Sequence, residues 1–200
     1  MTIRVSKVPE PELPGGLVFE PGFLSAAEEA ELLAYIRRVE FRTFAMHGVT
    51  AKRRIKQFGW HYAFQGARIT ETEPIPSEFD EIRRRAAVVA GIGPSEWAEA
   101  LVIEYQPGAG IGWHLDAPSF DLVAGISLHG ACRMRFQTGT GADRKTSALE
   151  LPPRSMYLLA GEARSKWQHM IPPAKELRYS ITLRTLKRKM TGPFLGGDKR

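Results

Sequence analysis

Residues 167–184 read WQHMIPPAKELRYSITLR and contain two strand patterns separated by a Pro-Pro turn. From residue 178 onward, polar and apolar side chains alternate with the two-residue period of a β-strand. The polar set is Arg178, Ser180, Thr182 and Arg184. A surface strand would expose this set to water, whereas a strand inside a barrel would line a pocket with it. Because His169 lies nine residues before Arg178, the sequence favours the pocket.

A second stretch supplies metal-binding chemistry. His114 and Asp116 are two positions apart, so on extended backbone their side chains project to the same face. With His169 they offer two imidazoles and one carboxylate, which can bind one face of a ferrous ion and leave the other positions open. The H-x-D spacing alone is a weak signal, because short motifs also occur by chance. Trp113, beside His114, is expected in the core.

An arginine near such a metal has a specific use. Its planar guanidinium binds both oxygens of a carboxylate and stays charged. Arg178 could therefore anchor a dicarboxylate cosubstrate beside the ferrous ion. A structural zinc site would more often use four ligands including cysteine, and this chain has one cysteine. The residues together predict oxygen chemistry.

The bulk composition is that of a globular protein. The chain has 200 residues, of which 43% are hydrophobic, so one domain with a substantial core is expected and disorder is excluded. The net charge of +6 is uneven. One basic cluster follows Arg164, and a second contains Lys52, Arg53, Arg54 and Lys56. A polyanionic partner and an ordinary solvated surface both explain these clusters.

Location and assembly follow from weaker signals. No apolar run approaches the ~20 residues that span a bilayer, and the first residues lack the apolar stretch of a secretory signal. We therefore expect a cytoplasmic protein that does not bind membranes. A monomer is expected.

The order of patterns predicts an α+β fold, with N-terminal helices buttressing a β-sandwich or roll. We divide the chain into an extended leader (1–16), an N-terminal extension with helices and a lid (17–100), a core (101–186) and a basic tail (187–200). A strand is expected at 17–19, and Ser25 opens a capping box and a helix. Ser77 is expected to cap a second helix, which Gly91 ends.

Short strands punctuated by Gly, Pro and Asp are predicted from residue 101 onward. They are Leu101–Gln106, Leu122–His129, Cys132–Gln137, Ser155–Leu159, Trp167–Ile171 and Tyr179–Leu186.

These residues resemble the AlkB family of Fe(II)- and 2-oxoglutarate-dependent dioxygenases. The resemblance covers roughly residues 104–184. Its blocks are YQPGAGIGWHLD (105–116), ISL (126–128), LPPRS (151–155), AGEAR (160–164), WQH (167–169) and RYSITLR (178–184). The P-R-S, G-E-x-R and W-x-H blocks are most similar to the branch that oxidises the tRNA wobble uridine.

The resemblance implies a double-stranded β-helix, or jelly roll, with iron held by His114, Asp116 and His169. It also implies a 2-oxoglutarate site and O2 as the oxidant. The cosubstrate residues implied are Tyr105, Arg178, Ser180 and Arg184, with Arg178 on the C5 carboxylate and Arg184 near the C1 end. Ser180 replaces the asparagine of the bacterial prototype, as in the tRNA branch. Ile103 stands where the family often has asparagine, which would remove one cosubstrate hydrogen bond.

A nucleotide-recognition lid is the looser part of the resemblance. It would contain Arg53, Arg54, Trp60 and Tyr62, because basic residues interleaved with aromatic ones suit gripping a phosphate and stacking a base. A strand with a packed aromatic face would give the same pattern. The implied reaction is oxidative demethylation or hydroxylation of an alkylated base in DNA or RNA. A single strand is expected to be preferred, since a base in a duplex must first leave the stack.

Two alternatives share this core. One is an oxygenase of a protein side chain or a small molecule. The other is a non-catalytic nucleic-acid-binding relative, which Ile103 makes conceivable. The sequence leaves open whether the target is DNA, mRNA or tRNA.

Overall fold

The computed structural model describes residues 13–46, 49–63 and 68–187, so most of the leader and of the basic tail lie outside the described residues. Three α-helices are described: α1 (Ala26–Ile36), α2 (Asp80–Ala90) and α3 (Gly161–Ser165). The described strands are β1 (Leu17–Glu20), β2 (Arg42–Met46), β3 (Val49–Ala63), β4 (Arg68–Glu71), β5 (Trp97–Tyr105), β6 (Ile111–His114), β7 (Phe120–Leu128), β8 (Cys132–Thr138), β9 (Lys145–Leu151), β10 (Met156–Leu159), β11 (Gln168–Ile171) and β12 (Arg178–Leu186).

The strands form two antiparallel sheets that make a jelly roll. The major sheet has the order β1-β10-β7-β12-β5-β3-β2, and β4 extends β3. The minor sheet has the order β6-β11-β8-β9. Strands distant in sequence are neighbours in space, so residues from β6, β11 and β12 can meet at one site. The double-stranded β-helix expected from the sequence is confirmed.

Alternating side chains divide the core into separate layers. On the outer face of the major sheet, Ile181 and Leu183 of β12 pack with buried residues of α1 and α2, such as Ile36 and Ile82. Between the two sheets, Met134 and the other inward residues of β8 and β9 pack against β7 and β10. The polar face of β12 is buried as well, and points to the inside of the roll rather than to water.

The helix starts differ in how well the sequence predicted them. Ser25 caps α1: its Oγ accepts from the Glu28 N–H, and the Glu28 carboxylate accepts from the Ser25 N–H at 2.7 Å. The prediction for Ser77 is wrong, because residues Ser77–Phe79 form a 3₁₀ turn and α2 begins at Asp80. Gly91 ends α2 with φ of 67°, the left-handed conformation that favours glycine.

The predicted strands from residue 101 onward are confirmed, with ends shifted by up to four residues. The sequence did not predict β2, β4, β6 and β9. The expected boundary at residue 101 falls inside β5, and β1, β2 and β3 are hydrogen-bonded into the same major sheet. The helices and strands before residue 101 therefore belong to the same folded unit. Of the described helices, none is long and apolar enough to cross a bilayer.

Candidate active site

The two candidate histidines lie on neighbouring strands of the minor sheet. His114 at the end of β6 is paired directly with His169 of β11, and their ring centroids are 4.3 Å apart. Asp116 follows β6, and its Oδ2 lies 3.5 Å from His169 Nε2. Each of the three residues has a potential ligand atom, a ring nitrogen or a carboxylate oxygen, and these three atoms lie within 4.8 Å of one another. The structure therefore brings together the three residues that the sequence singled out.

The free atoms of this cluster suit a divalent cation. His114 Nδ1 lies 2.9 Å from the Gly112 carbonyl oxygen, so the neutral ring donates there and leaves Nε2 with its lone pair. Asp116 Oδ2 is buried and has no hydrogen-bond partner among the described residues. Buried acceptors without a donor are costly, and a metal ion would satisfy them. The donor set fits Fe(II).

The charge states match metal binding as well. Burial lowers the pKa of His169 to about 4, although Asp116 acts in the opposite direction. Burial alone would raise the pKa of Asp116, but Arg184 and then His169 outweigh it, and the pKa falls to about 2. At neutral pH the cluster therefore presents a neutral imidazole beside an ionised carboxylate, which are the forms that bind metal.

Arg184 joins two buried carboxylates. It donates from Nη1 to Glu99 Oε2 at 2.6 Å and from Nη2 to Asp116 Oδ1 at 2.8 Å. Burial alone would lower the pKa of Arg184, but Glu99 and Asp116 raise it. Arg184 was expected near the C1 end of the cosubstrate. The contact with Asp116 places Arg184 beside the candidate metal site, where Arg184 also orients the Asp116 carboxylate.

Arg178 is a buried cation to which the described part of the chain supplies no acidic partner. It is 1% exposed and donates from Nη2 to Ser127 Oγ at 3.1 Å. Its Nε and Nη1 have no hydrogen-bond partner among residues 13–46, 49–63 and 68–187, and no carboxylate in those ranges forms an ion pair with it. A buried, uncompensated charge costs several kcal/mol. An anion that binds here would remove that cost.

The other expected cosubstrate residues surround Arg178. Tyr105 of β5 is its cross-strand neighbour, and the guanidinium carbon lies 5.0 Å from the centre of the Tyr105 ring. Ser180, two residues along β12, is paired with Ser127 of β7 and Ile103 of β5. Ile103 belongs to a small apolar cluster with Tyr105. Ile103 therefore contributes an apolar side chain to the part of the roll beside Arg178, where an asparagine would offer a hydrogen bond.

The structure separates the two arginines of the expected lid. Arg53 of β3 donates to the Gly110 carbonyl at 3.3 Å. Burial raises the pKa of Tyr105 and the nearby charge of Arg53 acts in the opposite direction, so Arg53 lies on the same side of the sheet as Tyr105. Arg54 makes a two-point ion pair with the buried Glu104, at 2.8 and 2.9 Å. Because neighbouring side chains of a strand point to opposite faces, Arg54 lies on the helix side of the sheet. Its observed role is to compensate Glu104.

The two aromatic residues of the expected lid, Trp60 and Tyr62, both lie on β3. Trp60 is 37% exposed on β3, so its ring is accessible. The backbone of Tyr62 belongs to the same strand, but its side chain lies outside the described residues. The expectation that Trp113 is a core residue is wrong, because it is 39% exposed beside His114. An exposed indole next to a candidate metal ligand is accessible from solvent.

Sequence reasoning missed three residues that support the site. Glu99 is completely buried and holds Arg184, Ser127 holds Arg178, and Arg164 binds the turn after Asp116. Glu99 was detectable, since strict alternation along β5 places it on the same face as Tyr105. Ser127 and Arg164 stand in two blocks of the family resemblance, but neither block indicated a role for them, because their partners are distant in sequence.

A jelly roll that encloses two histidines, an aspartate and a buried arginine is typical of non-haem iron oxygenases. The sequence profile of the 2OG-Fe(II) oxygenase superfamily matches residues 16–185, and this chain belongs to that family. The family uses Fe(II), 2-oxoglutarate and O2.

Several named relatives are AlkB homologues. A protein of Arabidopsis thaliana, "Alkylated DNA repair protein ALKBH8 homolog", is 33% identical over 80% of this chain and 51% of its own length. The "tRNA (carboxymethyluridine(34)-5-O)-methyltransferase alkbh8" of Xenopus tropicalis is 27% identical over 86% of this chain and 28% of its own length. The mitochondrial "alkB homolog 7" of Bos taurus is 32% identical over 77% of this chain and 66% of its length. The chain thus spans between a quarter and two thirds of these relatives.

Solved structures share the fold. OsALKBH1 superposes with a TM-score of 0.68 at 16% identity, covering 87% of this chain and all of that one. A prolyl-4-hydroxylase of Pseudomonas putida superposes with a TM-score of 0.60 at 16% identity, covering 86% and 93%. At this identity the likeness concerns the fold alone.

Proposed function

We propose that this protein is an Fe(II)- and 2-oxoglutarate-dependent dioxygenase that oxidises a modified base in nucleic acid, by demethylation or hydroxylation. The observation that carries the proposal is the buried Arg178, which lacks a described acidic partner and lines the same roll as a His-Asp-His cluster. A metal cluster alone would also fit a redox-inert or storage role. The additional buried cation indicates an acidic cosubstrate.

Each residue has a defined task in this proposal. His114, Asp116 and His169 would hold the iron, and three protein ligands would leave coordination positions for cosubstrate and O2. Arg178 would bind the distal carboxylate of 2-oxoglutarate through its guanidinium, whose Nε and Nη1 have no hydrogen-bond partner among the described residues. Tyr105 and Ser180 offer hydroxyl groups in the same pocket, and Arg184 holds Asp116 in its ionised form.

The bound iron supplies oxygen activation coupled to the decarboxylation of 2-oxoglutarate. The protein positions the reactants and excludes water. Arg178 would fix one carboxylate of the cosubstrate, so that the other end could reach the iron held by the His-Asp-His cluster. The apolar side chains of Leu101, Ile103 and Ile55 keep this side of the pocket dry. A dry pocket strengthens the electrostatic contacts that orient the cosubstrate.

Two features support nucleic acid as the substrate. The names of the Arabidopsis and Xenopus relatives refer to alkylated DNA and to tRNA uridine. The net charge of +6 would also favour a polyanion.

Arg53 and the exposed Trp60 would contact phosphate and base, and Tyr62 is proposed with them. Arg54 would contribute long-range charge only, because Glu104 holds its guanidinium. A target like the wobble uridine, in a single-stranded loop, fits a site that has to enclose one base.

The decisive experiment is a substrate panel. Oligonucleotides of DNA and RNA that carry N-methyl bases, etheno bases or C5-substituted uridines are incubated with the enzyme, Fe(II), 2-oxoglutarate and O2. We expect a mass change in one class, with stoichiometric succinate. Oxidation of a peptide or small molecule instead of every oligonucleotide would contradict the nucleic-acid assignment.

Variants test the metal assignment separately. His114→Ala and Asp116→Ala should abolish substrate-linked succinate while circular dichroism shows a folded protein. The exposed His129 provides the control, since His129→Asn removes an imidazole outside the cluster and asparagine tolerates its φ of 67°. Turnover retained in either ligand variant would refute the assignment.

A monomeric state and a cytoplasmic location stay predictions. Light scattering of the purified protein and microscopy of a tagged chain would test them.

A further inference from the structure

The backbone that carries Asp116 is not part of a sheet. Residues 115–117 lie in no strand, and a turn from Ala117 leads into β7. The two histidines, in contrast, are fixed by the ladder between β6 and β11. Some other contact must therefore set the position of the carboxylate relative to the two imidazoles.

Arg164 of α3 makes that contact. Its Nη2 donates to the carbonyl oxygens of Ala117 at 2.8 Å and Phe120 at 2.7 Å. The same turn is closed by the Phe120 N–H, which donates to the Ala117 carbonyl at 3.1 Å. One guanidinium thus binds both ends of the four-residue turn that immediately follows Asp116.

We infer that Arg164 is a positioning residue for the metal site, which acts through the turn 117–120 to hold Asp116 against the two histidines. This inference rests on the proposed role of Asp116 as a metal ligand. Arg184 orients the carboxylate itself, while Arg164 fixes the backbone from which the carboxylate projects. The two arginines hold the side chain and the backbone of Asp116 separately.

The positive charge of Arg164 and its contacts with the turn predict opposite effects on metal affinity when Arg164 is removed. Arg164 lies close enough to Asp116 and His169 to act on both electrostatically. Removing a positive charge near a cation site should strengthen cation binding by Coulomb's law alone. If Arg164 mainly positions Asp116, removing it should weaken binding, as loss of supporting contacts typically lowers metal affinity roughly 10- to 100-fold.

The experiment measures Mn(II) affinity by electron paramagnetic resonance without oxygen or substrate, at a temperature where each variant is folded. We expect Arg164→Ala to bind Mn(II) roughly tenfold or more weakly than wild type, with an altered spectrum of the bound ion. Arg164→Lys keeps the charge, but its side chain is one atom shorter and reaches the two carbonyls less well, so an intermediate loss is expected. Arg135→Ala is the matched control, because Arg135 is an exposed arginine of β8.

The variant Asp116→Ala distinguishes two claims: that Asp116 is a metal ligand, and that Arg164 positions it. If it binds Mn(II) like wild type, the metal-site assignment fails, and the role of Arg164 with it. If Asp116→Ala loses the ion while Arg164→Ala binds it with unchanged or higher affinity, the positioning role alone is overturned. Should Arg164→Ala not fold, Arg164→Lys decides: wild-type affinity and spectrum in that variant would overturn the inference.

Discussion

His169 lies directly opposite His114 across the antiparallel pair of β6 and β11, with ring centroids 4.3 Å apart. Direct cross-strand neighbours are held at close spacing by the backbone ladder itself. The two imidazoles therefore face each other in the folded chain before any metal binds. Asp116, the third proposed ligand, lies outside the ladder, where Arg184 holds its carboxylate and Arg164 binds the turn that follows it.

The first prediction concerns pH and stability of the metal-free protein. Burial lowers the pKa of His169 from 6.5 to about 4, so the unfolded chain binds more protons between these values. The free energy of unfolding should therefore fall as the pH is lowered across this window, by about 3 kcal/mol for this group. Asp116, with its pKa lowered to about 2, adds a separate loss only at lower pH, below the ordinary value of 3.8.

Urea titrations at a series of pH values would measure this dependence. His169→Gln should flatten the pH dependence in that window, since the titrating imidazole is gone. An equally steep dependence in the variant would show that other groups cause it.

The second prediction concerns Arg178→Met. Loss of the guanidinium should weaken 2-oxoglutarate binding roughly 30-fold or more, because one partner of a buried charge pair is removed. The metal-free protein should be as stable as wild type or more stable, because a buried cation with two unpaired nitrogens is replaced by an apolar side chain. Calorimetric titration and thermal denaturation give the two readouts.

Arg178→Lys is the companion variant. It keeps the charge and loses the two-point geometry, so an intermediate affinity is expected. Wild-type affinity for 2-oxoglutarate in Arg178→Met would exclude Arg178 as the anchor.

The third prediction concerns Ile103, which stands where the family often has asparagine. Ile103→Asn should tighten 2-oxoglutarate binding about 2- to 10-fold, the worth of one net hydrogen bond. In the absence of cosubstrate the same variant should lose about 1–3 kcal/mol of stability, because a buried amide has no partner. Ile103→Val is the control, with a small loss of stability and unchanged affinity. An Asn variant that binds 2-oxoglutarate no better than wild type would contradict the idea.

The fourth prediction concerns Glu99, which is completely buried and lies 2.6 Å from Arg184. Glu99→Ala should reduce the free energy of unfolding by about 3 kcal/mol or more, because it leaves a buried guanidinium with one carboxylate fewer. Glu150→Ala is the matched control, since Glu150 forms an exposed pair with Arg133 at 3.4 Å. Exposed pairs contribute under about 1 kcal/mol. Equal effects in the two variants, measured by urea denaturation, would show that Glu99 is not a structural partner of Arg184.

Individual strands show where sequence reasoning worked. Along β12, alternation correctly separated Arg178 and Ser180 from Ile181 and Leu183, because a strand has a strict two-residue period. The same rule applied to β3 would have separated Arg53 from Arg54. The lid was instead assembled from residue types, and Arg54 proved to be the partner of Glu104. Periodicity was a better guide to side-chain direction than composition.

The sequence by itself determined the metal-binding residue types and the pocket-facing arginine of β12, because local alternation and short spacings encode which side chains share a face. The jelly roll was implied by the family resemblance. Only the tertiary structure decided that His169 faces His114, that Glu99 holds Arg184 and that Arg164 secures the turn after Asp116. These partners lie 47 to 85 residues apart along the chain, and nothing in local backbone preference selects them. Their pairing follows from the order of strands in the two sheets, which depends on packing of the whole core.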